Sequence, residues 1–337
     1  MPAIMTHDFF GKDVFADISP LIGETADERD AFLLGNQGPD PLFYLVLSPR
    51  MKPYFLLGGT MHHLNPSKLL AALKESLDVL EADELPVGRA YAAGFLCHYT
   101  LDSSMHPFVY QQQYAFCDAG VKGLSREDGN DVHAEIEREL DELVLFEKRG
   151  CTISSYKPYE EVLRASDETL AVIGKMYAFF CMKALHVFAP ADLFPAAVKD
   201  FRRAQKLFYS PSHTMHAFAN TIETRLLHRN HSFYKSMAHR DNPARISDFD
   251  NRAHHAWENP FTGEQSTDGF WDIFEGARTR AKDNIAAFFS EGFGLEAARA
   301  VTGGLDFSGE PVEHDEADGK CAAGCAARIG RCTGCAE

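Results

Sequence analysis

The chain has 337 residues and is 45% hydrophobic, enough for one large helical domain or two closely packed ones. Its 33 basic and 49 acidic residues leave a formal net charge of −16, an average field that repels a polyanion such as DNA. The start, Met-Pro-Ala-Ile-Met-Thr-His, lacks the basic-then-apolar pattern of a signal peptide. The most apolar later stretch, Met176 to Phe188, is broken by Lys183 and His186 and is too short to span a bilayer. A cytoplasmic protein is expected, with its eight cysteines as thiols or ligands rather than a disulfide framework.

From the N-terminus, the first punctuation is Gly35-Asn36-Gln37-Gly38-Pro39-Asp40-Pro41, a turn by composition that presents Asp40 from a stiff loop. Phe43 to Leu47 fits a short strand or a buried helical turn equally well. Leu69, Leu70, Leu73, Leu77 and Leu80 recur at spacings of three and four, predicting a helix that starts just after Pro66 and Ser67. A second helix, apolar on nearly all sides and so buried, is predicted from Arg89 to about Tyr110. A third begins at Asn130 or Asp131, either of which can cap it, and runs to about Lys148. Helical patterns cover roughly 159–188, 191–208, 212–235 and 268–290, and Asn259 to Glu264 reads as a loop. No Pro/Gly/Ser-rich linker divides the chain before about residue 305. The expectation is a single all-α domain over 1–305, a multi-helix bundle with its site in the core. A flexible cysteine-containing tail is expected over 306–337.

The second helix carries His98, Asp102 and His106. Steps of four residues advance about 400° each, so the three side chains stay within an arc of about 80°. The third helix carries His133 and Glu137, again four apart on one face. One such pair is commonly a solvated pair on a helix surface. Two such units on facing helices are how a bundle builds a metal site in its core. Ala92, Ala93, Phe95, Leu96 and Leu101 crowd the second helix, so a buried Asp102 without a partner would be costly, and a metal ion removes that cost. Pro107 cannot donate the backbone bond of a helix interior, so a kink beside His106 is expected.

These residues carry a resemblance. Met5-Thr6-His7, Gly38-Pro39-Asp40, Met61-His62-His63, the run Gly94 to Ser103 with His98 and Asp102, His106-Pro107, and His133 with Glu137 together resemble the zinc-dependent phospholipase C family, related in fold to the S1/P1 nucleases. The resemblance covers roughly residues 2–140 and is specific as an ordered set. It implies two or three zinc ions. One would be held by Asp40, His62 or His63, His98 and Asp102, with His62 preferred. A second would take His106, His133 and Glu137, and a third His7 with Asp102 as a bridge. It also makes Asp40 the candidate general base, or a ligand alone. Zinc lowers the pKa of bound water to about 7 and, in pairs, shields the oxygens of a displacement at phosphorus. The implied function is hydrolysis of a phosphodiester, a phospholipid with peripheral membrane contact or a small soluble diester. Two departures stand out. Secreted members complete the third site with a processed N-terminal tryptophan, whereas this chain starts Met-Pro, and its Asp102 to His106 spacing is shorter than theirs.

Other candidates weigh less. His213, His216, His228 and His231, with Arg225 and Arg229, fit phosphate recognition or a solvated helix face. Trp257 fits an anchor for the Asn-Pro loop better than a stacking surface. Cys321, Cys325, Cys332 and Cys335 could form a tetrahedral zinc clip, or be unpaired thiols in a mobile tail. Two alternative functions remain. One is a nuclease or nucleotidase on the same scaffold, which the acidic charge disfavours for nucleic acid. The other is a metal-stabilised binding protein without turnover, in which the sites would be closed.

Overall fold

The computed structural model describes residues 3–122, 124–208, 240 and 245–312. The described chain is helical nearly throughout. The helices are α1 (Ile4–Ile22), α2 (Ala26–Gly35), α3 (Leu57–His63), α4 (Pro66–Glu75), α5 (Leu85–Cys117), α6 (Gly129–Arg149), α7 (Pro158–Glu161), α8 (Asp167–Leu185), α9 (Leu193–Phe208), α10 (Phe270–Phe288) and α11 (Leu295–Thr302). The strands β1 (Trp257–Glu258) and β2 (Gln265–Ser266) pair antiparallel across the 259–264 loop. The all-α expectation therefore holds. None of the described helices is long and apolar enough to cross a membrane.

Local chemistry sets the helix ends. Thr25 and Glu28 form a reciprocal capping box at α2. Asn65 caps α4 through the Lys68 amide, and Ser166 caps α8 through that of Thr169. The start of α6 is prepared by Ser125 and Asp128, which box a short 3-10 turn, so Asn130 and Asp131 lie inside the helix rather than at its N-cap. Gly150, at a φ of 63°, ends α6 in the left-handed conformation that glycine adopts without strain.

The architecture is organised around α5. Its 33 residues include a fully buried run from Ala90 to Ser103, and α1, α2, α6, α8 and α10 pack around it. The closest crossing is with α2, where Gly35 meets Gly94. A Cβ on Gly94 would fall 2.0 Å from the Phe32 carbonyl oxygen, and one on Gly35 would fall 2.3 Å from that of Tyr91. The helix continues through Pro107 to Cys117, several residues beyond the expected end at Tyr110.

Phe43 to Leu47 is helical rather than extended, part of a 3-10 helix over Asp40–Leu47. The 159–188 pattern divides into α7 and α8, separated by Leu163 at a φ of 61°. The 212–235 pattern, with its histidines and arginines, and the C-terminal cysteines lie outside the described residues. The expected boundary at 306 falls inside folded structure. Asp306, Phe307 and Ser308 are buried, and Leu305 bridges Pro311. Phe307 is apolar enough to pack into the core, and Asp306 folds the turn by accepting the amides of Ser308 and Glu310.

Candidate metal centre

Eight side chains from five parts of the chain converge beside the middle of α5. His7 comes from the second turn of α1 and Asp40 from the first residue of the 3-10 helix. His62 is near the end of α3, and His98, Asp102 and His106 lie along α5. His133 and Glu137 lie along α6. Three sets have donor atoms close enough to share an ion: His7, Asp40 and His98; His62, His98 and Asp102, which overlaps the first at His98; and, apart from these, His106, His133 and Glu137. All eight residues expected from the sequence are thus brought together.

Asp102 is the hub. Its Oδ1 lies 3.0 Å from His7 Nε2, and its Oδ2 lies 3.2 Å from His98 Nε2 and 3.7 Å from His62 Nε2. Asp40 Oδ1 lies 3.1 Å from His62 Nε2 and 3.9 Å from His98 Nε2. Glu137 Oε1 lies 3.3 Å from the Nε2 of both His106 and His133. His62 belongs to the cluster. Its neighbour His63 is 63% exposed and turns outward to Asp306, its Nδ1 3.3 Å from that carboxylate.

Four histidines have an acceptor behind the ring. His62 Nδ1 faces the Gly58 carbonyl at 2.8 Å, and His98 Nδ1 faces that of Asn36 at 3.2 Å. His106 Nδ1 faces the Phe307 carbonyl at 2.7 Å, and His133 Nδ1 faces Gln113 Oε1 at 2.9 Å. An acceptor there fixes the proton on Nδ1 and leaves the Nε2 lone pair facing inward. In a neutral ring that lone pair opposes carboxylate oxygen, which repels unless a metal ion or a proton lies between them. His98 Nε2 is fully buried and makes no hydrogen bond despite lying beside two carboxylates.

The electrostatics divide the histidines: burial lowers His98 and His133, whereas neighbouring carboxylates raise His62 and His106 against their burial. Burial pulls His98 down to about 4, and the neighbouring His7 and His62 add to the effect against the pull of Asp102 and Asp40. A proton therefore does not fill the space before its Nε2 at neutral pH. Burial pushes the Asp40 carboxyl upward, but His98 and His62 outweigh it and hold it below the usual range. Burial likewise opposes ionisation of Asp102 and Glu137, yet the surrounding histidines hold both well below that range. Burial lowers His106, but the charge of Asp102 and the bonds to Glu137 and Phe307 carry it up to about 9. Two neutral-to-cationic clusters around ionised carboxylates form a donor set of imidazole nitrogen and carboxylate oxygen, the set that zinc takes. The residues fit the metal that the sequence pattern implies.

Three supports were not read from the sequence. Asp141 accepts from the amides of Met5 and Thr6 and from the Thr6 hydroxyl, fixing the start of α1 and with it His7. A signal existed, since Asp141 lies four residues beyond Glu137 on the face of α6 that carries His133. Gly38, at a φ of 49°, lies so close to the His98 ring that a Cβ would fall 2.1 Å from it. The third support is the 305–312 strap. Phe307 donates its amide to the His62 carbonyl, accepts from His106, and lays its ring 4.9 Å from that of His62 and 5.7 Å from that of His98. A backbone carbonyl has no sequence signature, so nothing marked Phe307 in advance.

At the second cluster, Tyr110 packs on His133 at 4.9 Å and Phe261 on Tyr110 at 5.3 Å. Trp257 anchors the hairpin that presents Phe261, with its ring 5.4 Å from Phe108 and its Nε1 donating to the Asp268 carbonyl. Comparison of the chain with family models, with curated proteins and with solved structures gives no match.

Proposed function

We propose that the chain is a zinc-dependent phosphodiester hydrolase on a helical scaffold of the phospholipase C and P1 nuclease type. The observation that carries this reading is the convergence of four Nε2 atoms on three carboxylates, with that of His98 buried and without a hydrogen bond. Four histidines with Nδ1 tied back turn Nε2 toward three carboxylates held in their ionised form. Asp40, His62, His98 and Asp102 would hold one ion, His106, His133 and Glu137 a second, and His7 with Asp102 a third. When bound, zinc supplies water acidified to a pKa of about 7 and positive charge for the phosphate oxygens.

The chain's own residues do the rest. Asp102 ties the half-sites, since it touches histidines from α1, α3 and α5. Asp40 takes the proton from the attacking water, and such a base contributes about 10²- to 10⁴-fold. Tyr110 and Phe261 form an apolar wall beside the His106 and His133 pair, against which the leaving group rests. The substrate is a phospholipid or a small soluble phosphodiester, and a lipid substrate requires peripheral contact with a membrane.

Side-by-side assay of a phosphatidylcholine analogue, bis-p-nitrophenyl phosphate and single-stranded DNA tests the proposal. Zinc-dependent turnover of either of the first two is expected. Turnover of DNA alone makes the protein a nuclease. Zinc uptake without turnover of any of the three makes it a metal-stabilised binding protein.

A further inference from the structure

A cavity of about 180 Å³ opens beside α1, lined there by Asp8 and Lys12, while His7 of the same helix faces the metal cluster's hub. Its cationic lining is Lys12 from α1, Arg29 from α2, Arg149 from the last turn of α6, and Arg164 from the turn after α7. Lys12 is committed to the buried Asp8. The guanidinium groups of Arg29, Arg149 and Arg164, all three exposed residues, make no hydrogen bond, close ion pair or ring contact with any described residue.

Every other described arginine has such a partner. Some rest on carboxylates, as Arg126 does on Asp118 and Arg278 on Asp17. Arg202 and Arg280 donate to backbone carbonyls, and Arg89 and Arg245 lie over aromatic rings. The rest pair with acidic side chains. Among the described residues, the three arginines whose guanidinium groups make no hydrogen bond or close ion pair all line the same hollow, where the charges of Asp30 and Asp8 still reach them. Asp30 and Glu161 line it too, yet none of the three guanidinium groups closes on either. Beside it, the Tyr156 hydroxyl is buried without a hydrogen-bond partner and feels the charges of Asp8, Glu161 and Arg149.

A guanidinium group offers a planar fork of donors that matches the oxygens of a phosphate group. Three such forks around a hollow of this size accommodate one small oxyanion. We propose that this cavity is a second binding site, separate from the metal centre, for the phosphate group of inorganic phosphate or of a small phosphomonoester. The two sites share α1 as a wall, with His7 turned to Asp102 and Asp8 turned to Lys12.

The test is calorimetric titration of the full chain, freed of metal by a chelator so that phosphate cannot bind zinc. Inorganic phosphate and glycerol phosphate are the two titrants. Saturable binding of one anion per chain is expected. It should weaken at least tenfold in the Arg29→Gln/Arg164→Gln double variant and in Arg149→Gln, and persist in Asp102→Asn. Whichever titrant binds more tightly identifies the source of the phosphate group. No saturable binding of either, or equal binding by the wild type and by arginine variants with unchanged circular dichroism, overturns the proposal. Because the protein is metal-free, neither outcome depends on the hydrolase reading.

Discussion

His98 states the problem that the centre must solve. It is fully buried, its Nδ1 is tied to the Asn36 carbonyl, and its Nε2 faces two carboxylates without a hydrogen bond. Replacing it by alanine removes a ligand shared by two of the three sets, so His98→Ala should lose at least one equivalent of bound zinc. His63→Ala, which alters a ring turned outward to Asp306, should keep the wild-type metal content. Mass-spectrometric metal analysis of the two variants distinguishes them, and equal loss in both would deny that His62 is the partner in the cluster. The groups behind the ligands matter as well. Gln113→Leu deprives His133 of its Nδ1 partner while preserving side-chain bulk, and zinc affinity should fall by about 10- to 100-fold in a competition titration. The ligand types and their helical spacing were legible in the sequence, because four-residue steps on a helix leave a periodic trace. Asn36, Gly58 and Phe307 were not, because their carbonyl oxygens act regardless of side chain.

At the scale of elements, three devices hold the ligands in register. The first is the crossing of α2 and α5 at Gly35 and Gly94, which brings Asn36 up to His98. Gly94→Ala would drive a methyl group into the Phe32 carbonyl, so stability should fall by about 3 kcal/mol in chemical denaturation. An unchanged midpoint would mean that the helices separate freely. The second is the Asp141 clamp on the start of α1. Asp141→Ala leaves two amides and a hydroxyl without their charged acceptor, a loss of about 3 kcal/mol, and it should reduce zinc at the His7 position with little effect at His133. The third is the strap, whose turn depends on Asp306. Helices α5 and α6 were readable from their apolar residues and the four-residue spacing of their ligands, although neither has a side-chain cap at its N-terminus. By contrast, α1 and α2 escaped notice. The first turns of α1 bury Thr6, His7 and Asp8 among Met5, Phe9 and Phe10, which blurs the apolar period on which such a reading depends. The strap escaped for another reason: it opens a stretch rich in Gly, Ala, Asp and Glu that looks like a tail, and only its long-range contacts make it part of the core.

At the scale of the molecule, the proposed metal ions would be a local positive charge in a chain of net charge −16. On that proposal a long polyanion meets net repulsion while a compact diester does not. Turnover of bis-p-nitrophenyl phosphate should therefore exceed that of single-stranded DNA at low salt, and the gap should narrow as salt screens the surface. The strap also decides where the chain can be shortened. A cut before Asp306 would remove Phe307 from His62 and His106, whereas one after Val312 keeps these contacts and leaves out the four C-terminal cysteines. The most direct measurement is the zinc content of that shortened chain, compared with its Asp102→Asn variant. Two or three zinc ions per chain, falling together with hydrolase activity in the variant, is the predicted result. A chain that takes up no zinc when purified with the metal present would contradict it.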